Sequence, residues 1–257
     1  MSDILGISLG LKNWMLAPRY AEAGFSVVEI SLPNKGLDDL KSFTEAAYNL
    51  AVKSGMELWS IHLPFSRELD ISAPDEKRRR RTVEFEKKVI ELARQYVPKV
   101  LVIHPSTEPN EDRDRNIRLR YCMESLAELQ EAAGDMKLAV ENLPRTCIGR
   151  SGSEMEQLKG ACAGMCFDVN HLLIESHEQF MKPIADCIIT THLSDYDGID
   201  ERHWEPGMGI VPFKYVHDTL LAAGYTGPFL FELGSAANGV PYEPWSVVTA
   251  WKKLIGQ

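Results

Sequence analysis

The chain has 257 residues, 44% of them hydrophobic, and a formal charge of −9, enough for one large core in the size range of about 250 residues that α/β barrels use. That charge repels a nucleic-acid backbone or an anionic membrane surface, and the one basic run, Lys77-Arg78-Arg79-Arg80-Arg81, continues into Glu84 and Glu86 and reads as a solvated helix face. No segment approaches the roughly 18 uninterrupted apolar residues of a membrane span, and five scattered cysteines fit a reducing compartment better than a disulfide framework, so a cytoplasmic protein without membrane or nucleic-acid partners is expected.

Short β-branched runs alternate with longer amphipathic ones. The first strand is expected at ILGISL, residues 4–9, followed by a helix from Trp14 to Ala23 that Gly24 closes. SVVEI, with Glu29, reads as the second strand. In the helix after it Leu37, Leu40, Phe43, Ala47, Leu50 and Ala51 share one face, and Gly55 supplies the stop. LWSIH, with His62, leads to a helix over about 75–95, and VLVIH, with His104, to one over about 112–133 ending at Gly134. KLAVE, with Glu141, precedes a short helix beginning near Ser153, and MCFD, with Asp168, one near 177–186. IITTH, with His192, opens a long polar loop and a helix from about 213 to Ala223. FLFE, with Glu232, is followed by a last helix near 244–255.

Eight strands alternating with eight helices argue for a parallel sheet, since parallel neighbours need a crossover, and at this length for a closed (β/α)8 barrel spanning residues 1–257 as a single α/β domain. A doubly wound open sheet is the rival. It is disfavoured because the first strand-to-helix turn, LGLKNW, lacks the G-x-G-x-x-G that cradles a dinucleotide pyrophosphate. In a barrel the C-terminal strand ends converge on one rim, where the loops build the active site. Seven strands carry an ionisable residue there, and a charge in a buried strand is costly unless it is paired, hydrated or metal-bound.

Glu141, Asp168, His192 and Glu232 come from the fifth to eighth strands. Three carboxylates and an imidazole suit one divalent cation of the Mn²⁺, Mg²⁺, Co²⁺ or Zn²⁺ group. Without a cation the carboxylates would repel, and at least one would take up a proton. For each residue alone the plainer reading is pairing with a nearby Lys or Arg. His62 and His104 are each followed closely by proline, at Pro64 and Pro105, which turns the chain outward and sets both imidazoles at the rim. Substrate contact is the reading adopted for them, over a second metal or an ordinary core role. His171, three residues past Asp168, is placed against a substrate hydroxyl or a second metal, with orientation of Asp168 as the plainer reading. The long loop after His192 contains Trp204, Gly207 and Gly209. The two glycines let backbone approach a ligand, and Trp204 and Trp14 are candidates to cover the apolar face of a sugar, against the commoner fate of packing.

From VVEIS through IHLPF, VIHPS, AVENLP, CFDVNH, THLSD and RHWEPGMG to FLFELG, the sequence resembles the xylose isomerase-like barrel superfamily of sugar and sugar-phosphate isomerases and epimerases, inosose dehydratases and endonuclease IV-type AP endonucleases. The resemblance implies Glu141, Asp168, His192 and Glu232 as metal ligands, with Glu141 and Glu232 as the acid/base pair. Metal coordination would make the proton beside a substrate carbonyl removable, leaving a cis-enediolate. Return of the proton on the opposite face epimerises, return to the neighbouring carbon isomerises, and loss of a β-hydroxyl dehydrates. The implied function is a metal-dependent carbohydrate isomerase or epimerase acting on a small sugar or polyol, with a homo-oligomer left open. The alternatives are a dehydratase on the same metal site and a zinc AP endonuclease. The endonuclease pattern also uses residues matching His62, His104, His171 and His203, with an Asp where this chain has Glu201.

Overall fold

In the computed structural model, which describes residues 3–235 and 240–257, eight parallel strands make one sheet in the order β7-β6-β5-β4-β3-β2-β1-β8. The strands are β1 (Leu5–Leu9), β2 (Val27–Ser31), β3 (Glu57–His62), β4 (Val100–Ile103), β5 (Lys137–Glu141), β6 (Gly164–Asp168), β7 (Ile188–His192) and β8 (Phe229–Phe231). The two outer strands, β7 and β8, meet at a seam and nearly close the barrel. Leu193 donates its N–H to Leu230 O (2.8 Å) and accepts from Glu232 N–H (3.1 Å). Two residues earlier the Thr191 hydroxyl, not a backbone carbonyl, accepts from Leu230 N–H (3.1 Å).

Eight helices cover the outside: α1 (Ala17–Ala23), α2 (Leu37–Lys53), α3 (Glu76–Arg94), α4 (Arg115–Ala133), α5 (Gly152–Gln157), α6 (His177–Met181), α7 (Phe213–Ala222) and α8 (Pro244–Ile255). The period-2 geometry of a strand sorts residues between the two faces. On β4, Leu101 and Ile103 join the main core beneath the helices, whereas Val100 and Val102 join Ala139 and Cys166 in a separate small cluster. Trp251, Phe167, Phe180, Phe213 and Phe231 are fully buried in the main core.

Three expectations are modified in detail. The segment from Trp14 begins as a 3-10 turn (Trp14–Leu16) before α1, with Pro18 in the helix's first turn where its missing N–H costs nothing. α6 stops at Met181 because Pro183 follows, and a proline ring inside the helix would clash with the preceding turn. The chain then makes a separate 3-10 turn at Ala185–Cys187. His104 and Glu232 sit one residue beyond β4 and β8, not within them.

The basic run lies on α3 and is ion-paired. Arg80 meets Glu128 and Glu84, and Arg79 meets Glu76. Arg79 departs from the solvated-face expectation. It is buried, with Nη1 donating to Ser125 Oγ on α4 (3.1 Å), so it joins α3 to α4, as Arg80 does through Glu128. Among the described residues no helix is long and apolar enough to cross a membrane.

Candidate active site

The ionisable residues expected at the rim do come together there. Glu141 lies at the centre. His62 Nε2 is 3.0 Å and His104 Nε2 3.4 Å from its Oε2, while His192 Nδ1 is 3.1 Å and His171 Nδ1 3.6 Å from its Oε1. His192 Nδ1 also lies 3.3 Å from Glu232 Oε2, so one imidazole sits between the two glutamates. One donor atom from each of Glu141, Asp168, His192 and Glu232 falls within 4.8 Å of the others. Glu141, Asp168 and His192 are buried, whereas the Glu232 side chain keeps 26% of its surface exposed.

Asp168 is the least satisfied member. Its Oδ1 accepts from Asn170 N–H (2.6 Å), and its backbone is clasped by Asn142, whose Oδ1 accepts from Asp168 N–H and whose Nδ2 donates to Asp168 O, both at 2.8 Å. Oδ2 is buried with no hydrogen-bond partner. Burial, reinforced by the nearby Glu141 and Glu232 charges and opposed by His171 and His203, pushes the Asp168 carboxyl up to about 6. Glu141 goes the other way. Burial alone would raise it, but His192, His104 and His62 hold it well below the usual carboxylate range.

The histidines divide by what surrounds them. His62 donates Nδ1–H to Leu63 O (2.8 Å) while Nε2 faces Glu141, so it needs both ring protons. Burial would lower it, and Glu141 raises it to about 9. Burial wins at His104, which is pushed down. His171 donates Nδ1–H to Asn142 O (2.8 Å) and stands 3.8 Å from Asp168 Oδ2, so its nearest tie is to the Asn142 backbone. His171, Glu201 and His203 form a second close donor group, but Arg145 already holds Glu201 through Nη1 (2.6 Å) and also pairs with Asp200 and Glu108.

Two cavities of about 430 and 300 Å³ open over this cluster and share Phe65, His203 and Glu232 in their walls. Neither is lined by Trp14 or Trp204. Trp14 packs edge-on against Phe43 at 6.3 Å, and Trp204 is tied by its backbone to Asp195. The aromatic ring in both cavity walls is instead Phe65, which stacks on the His104 ring at 4.3 Å and remains 45% exposed. Gly207 and Gly209 likewise approach their own loop. Their N–H groups both donate to Asp195 Oδ2 at 2.8 Å, and a Cβ on Gly209 would lie 2.0 Å from Tyr196 O. Phe65, Asn142 and Arg145 escaped the sequence reading. Only Phe65 left a signal, one residue past the proline that turns the His62 segment outward.

Residues 18–248 match the model of the family described as xylose isomerase-like TIM barrel. An uncharacterised protein of Methanocaldococcus jannaschii is 28% identical over 191 residues, covering 67% of this chain and 63% of that protein, so the chain spans less than two thirds of that relative's length. The L-ribulose-5-phosphate 3-epimerase UlaE of Escherichia coli is 22% identical over 252 residues, 93% of this chain and 89% of its own. Among solved structures, a D-tagatose 3-epimerase-like protein superposes with a TM-score of 0.78 at 21% identity, over 98% of each chain.

Proposed function

The chain belongs to the xylose isomerase-like TIM barrel family, and from that membership and the geometry of the barrel mouth we propose that it is a divalent-metal-dependent sugar epimerase or isomerase, with residues 1–257 as one catalytic domain. The observation that carries the reading is the convergence of one atom each from Glu141, Asp168, His192 and Glu232 within 4.8 Å, with Asp168 Oδ2 buried and unpartnered. This donor set fits a cation. Three carboxylates repel one another unless a positive charge or a proton intervenes, and an orphaned buried oxygen is a vacant ligand. Oxygen-rich donors with one imidazole lean toward Mn²⁺ or Mg²⁺, and Co²⁺ and Zn²⁺ also suit the set.

A bound divalent cation would polarise a sugar carbonyl and its neighbouring hydroxyl and so acidify the C–H beside the carbonyl. The protein's own part is proton traffic. Glu141 and Glu232 flank His192 Nδ1 at 3.1 and 3.3 Å, so each carboxylate reaches the same small region from its own strand. Removal of the α-proton by one and return by the other on the opposite face of the enediolate inverts the centre, and return to the adjacent carbon isomerises instead. Glu232 faces both cavities and so stands open to substrate and water, while the histidines around Glu141 hold its carboxyl well below the usual range. His104, His171 and His203 are assigned to the substrate's hydroxyls and Phe65 to the apolar face of its ring or chain, whereas His62, buried with both ring nitrogens engaged by Leu63 O and Glu141, is assigned to holding Glu141 in place.

The test is incubation of the Mn²⁺-loaded protein with a panel of ketoses, aldoses, inososes and their phosphates in deuterated water. Deuterium at a carbon next to the carbonyl is expected for at least one. Absence of exchange from all of them would overturn the reading. A second reading, a zinc AP endonuclease, is favoured by the His171–Glu201–His203 group. Incision of a duplex holding one abasic site at catalytic protein concentration would promote it over the first.

A further inference from the structure

Beneath the four-donor group lies a carboxylate that the proton chemistry does not use. Glu29 on β2 is fully buried, and it meets no Lys or Arg among the described residues. Ser8 Oγ–H donates to its Oε1 (2.9 Å) and Ser60 Oγ–H to its Oε2 (2.7 Å). The three residues are direct neighbours across β1, β2 and β3, Ser8 opposite Glu29 and Glu29 opposite Ser60. The second pairing depends on a register shift between Val28 and Glu29. Val28 faces Leu58, so an unbroken ladder would have set Glu29 opposite Trp59. A bulge that re-aims one side chain into a cradle of two hydroxyls is a built feature, and the two donated hydrogen bonds favour the ionised carboxylate.

The cationic or proton-bearing partner of that buried charge is His192. Its Nε2 lies 3.0 Å from Glu29 Oε1, with the N–H off the line to that oxygen, so the contact is electrostatic at this ring angle. Its Nδ1 faces Glu141 and Glu232. Without a cation the ring's hydrogen bond runs from Nδ1 to Glu141 Oε1 (3.1 Å); a neutral imidazole has one lone pair, so if Nδ1 gives it to a cation shared with those carboxylates, the proton must sit on Nε2, against Glu29. We infer that Glu29 is a positioning residue: it holds the His192 proton on Nε2 and so presents the Nδ1 lone pair to the cation. This rests on the reading that Glu141, Asp168, His192 and Glu232 bind a cation. A carboxylate behind a metal-bound histidine orients the ring and raises its basicity, and losing such a partner typically costs 10- to 100-fold in metal affinity.

Glu29→Gln keeps the shape: its one oxygen can accept from Ser60, while its amide N–H groups, set where Oε1 stands, can donate to Ser8 Oγ and to Nε2 and drive the proton to Nδ1. Calorimetric titration of the metal-free full chain with Mn²⁺ is expected to show Kd raised about 10- to 100-fold in E29Q, with the thermal midpoint of the metal-free variant no lower than wild type. Nitrogen-15 imidazole spectra of the Zn²⁺-loaded wild type are expected to place the His192 ring proton on Nε2. Unchanged Mn²⁺ affinity in E29Q, or a proton on Nδ1, overturns the assignment. Should E29Q fail to fold, the wild-type spectrum decides alone. A wild type that binds neither ion removes the cation reading and this inference together, whereas normal wild-type binding with an unaffected E29Q removes only the role of Glu29.

Discussion

Glu154 on α5 and Asp168 at the end of β6 are both buried carboxylates, and the same fold treats them in opposite ways. Arg115 reaches Glu154 with Nε and Nη2, each at 2.7 Å from a different oxygen, and Gly149 and Arg150 N–H groups add bonds to Oε2 at 3.0 and 3.2 Å. The remaining Arg115 donors go to Thr146 O and Cys147 O. Every charge there is met, and the pair ties α4 to the β5–α5 loop. Asp168 has no Lys or Arg against it, two other carboxylates close by, and one oxygen with no partner. A completed buried ion pair belongs to the scaffold. An incomplete one, repeated at several strand ends that meet, marks a place where something else completes it.

Substitutions that sharpen this contrast differ in size and kind. The largest effect is expected at the acid/base pair: Glu141→Gln or Glu232→Gln should lower kcat on a responsive sugar by about 10²- to 10⁴-fold while the folded protein persists, as read by turnover and circular dichroism. Next comes the scaffold pair. Arg115→Met leaves the Glu154 charge buried without its partner and should cost about 3–5 kcal/mol in denaturant unfolding, with Mn²⁺ affinity unaltered. Asp168→Asn should do the reverse: it removes a charge from a crowd of like charges, leaves metal-free stability equal or higher, and weakens Mn²⁺ binding. If both variants lost stability and kept the metal, the distinction between the two sites would fail.

A smaller, pH-dependent effect is expected at a third buried carboxylate, which belongs to neither region. Burial pushes Glu86, on the inner face of α3, up to about 8, against a lowering pull from His62. A carboxyl raised in the folded state binds more protons there than when unfolded, so its contribution is complete below the unfolded pKa and is lost as pH climbs through about 8. Glu86→Gln should therefore stabilise the protein at pH 9 and change little at pH 5, measured by chemical denaturation. An equal effect at both values would contradict the assignment.

Much of this was legible in the chain. The eight short apolar runs mark the strands because a strand buried on both faces must be almost wholly apolar, which makes an ionisable residue at its end conspicuous. That is how Glu141, Asp168, His192 and Glu232 stood out before any coordinates. Trp14 and Trp204, named as candidates for a sugar face, line neither cavity, and nothing in a tryptophan's neighbours along the chain tells packing on Phe43 from covering a ligand. Arg145 was hidden for a different reason: its three carboxylate partners lie 37, 55 and 56 residues away and only the rim brings them together. Glu29 was visible as a strand-end acid, but its contact with Ser60 depends on a register shift that no local sequence pattern shows.

The central claim is that four side chains from β5, β6, β7 and the end of β8 share one cation. Anomalous difference density from a crystal soaked in Mn²⁺ tests it most directly. The account predicts a strong peak bounded by oxygens of Glu141, Asp168 and Glu232 and by His192 Nδ1. Density confined to the His171, Glu201 and His203 group, or no peak with the four side chains turned apart, would contradict it.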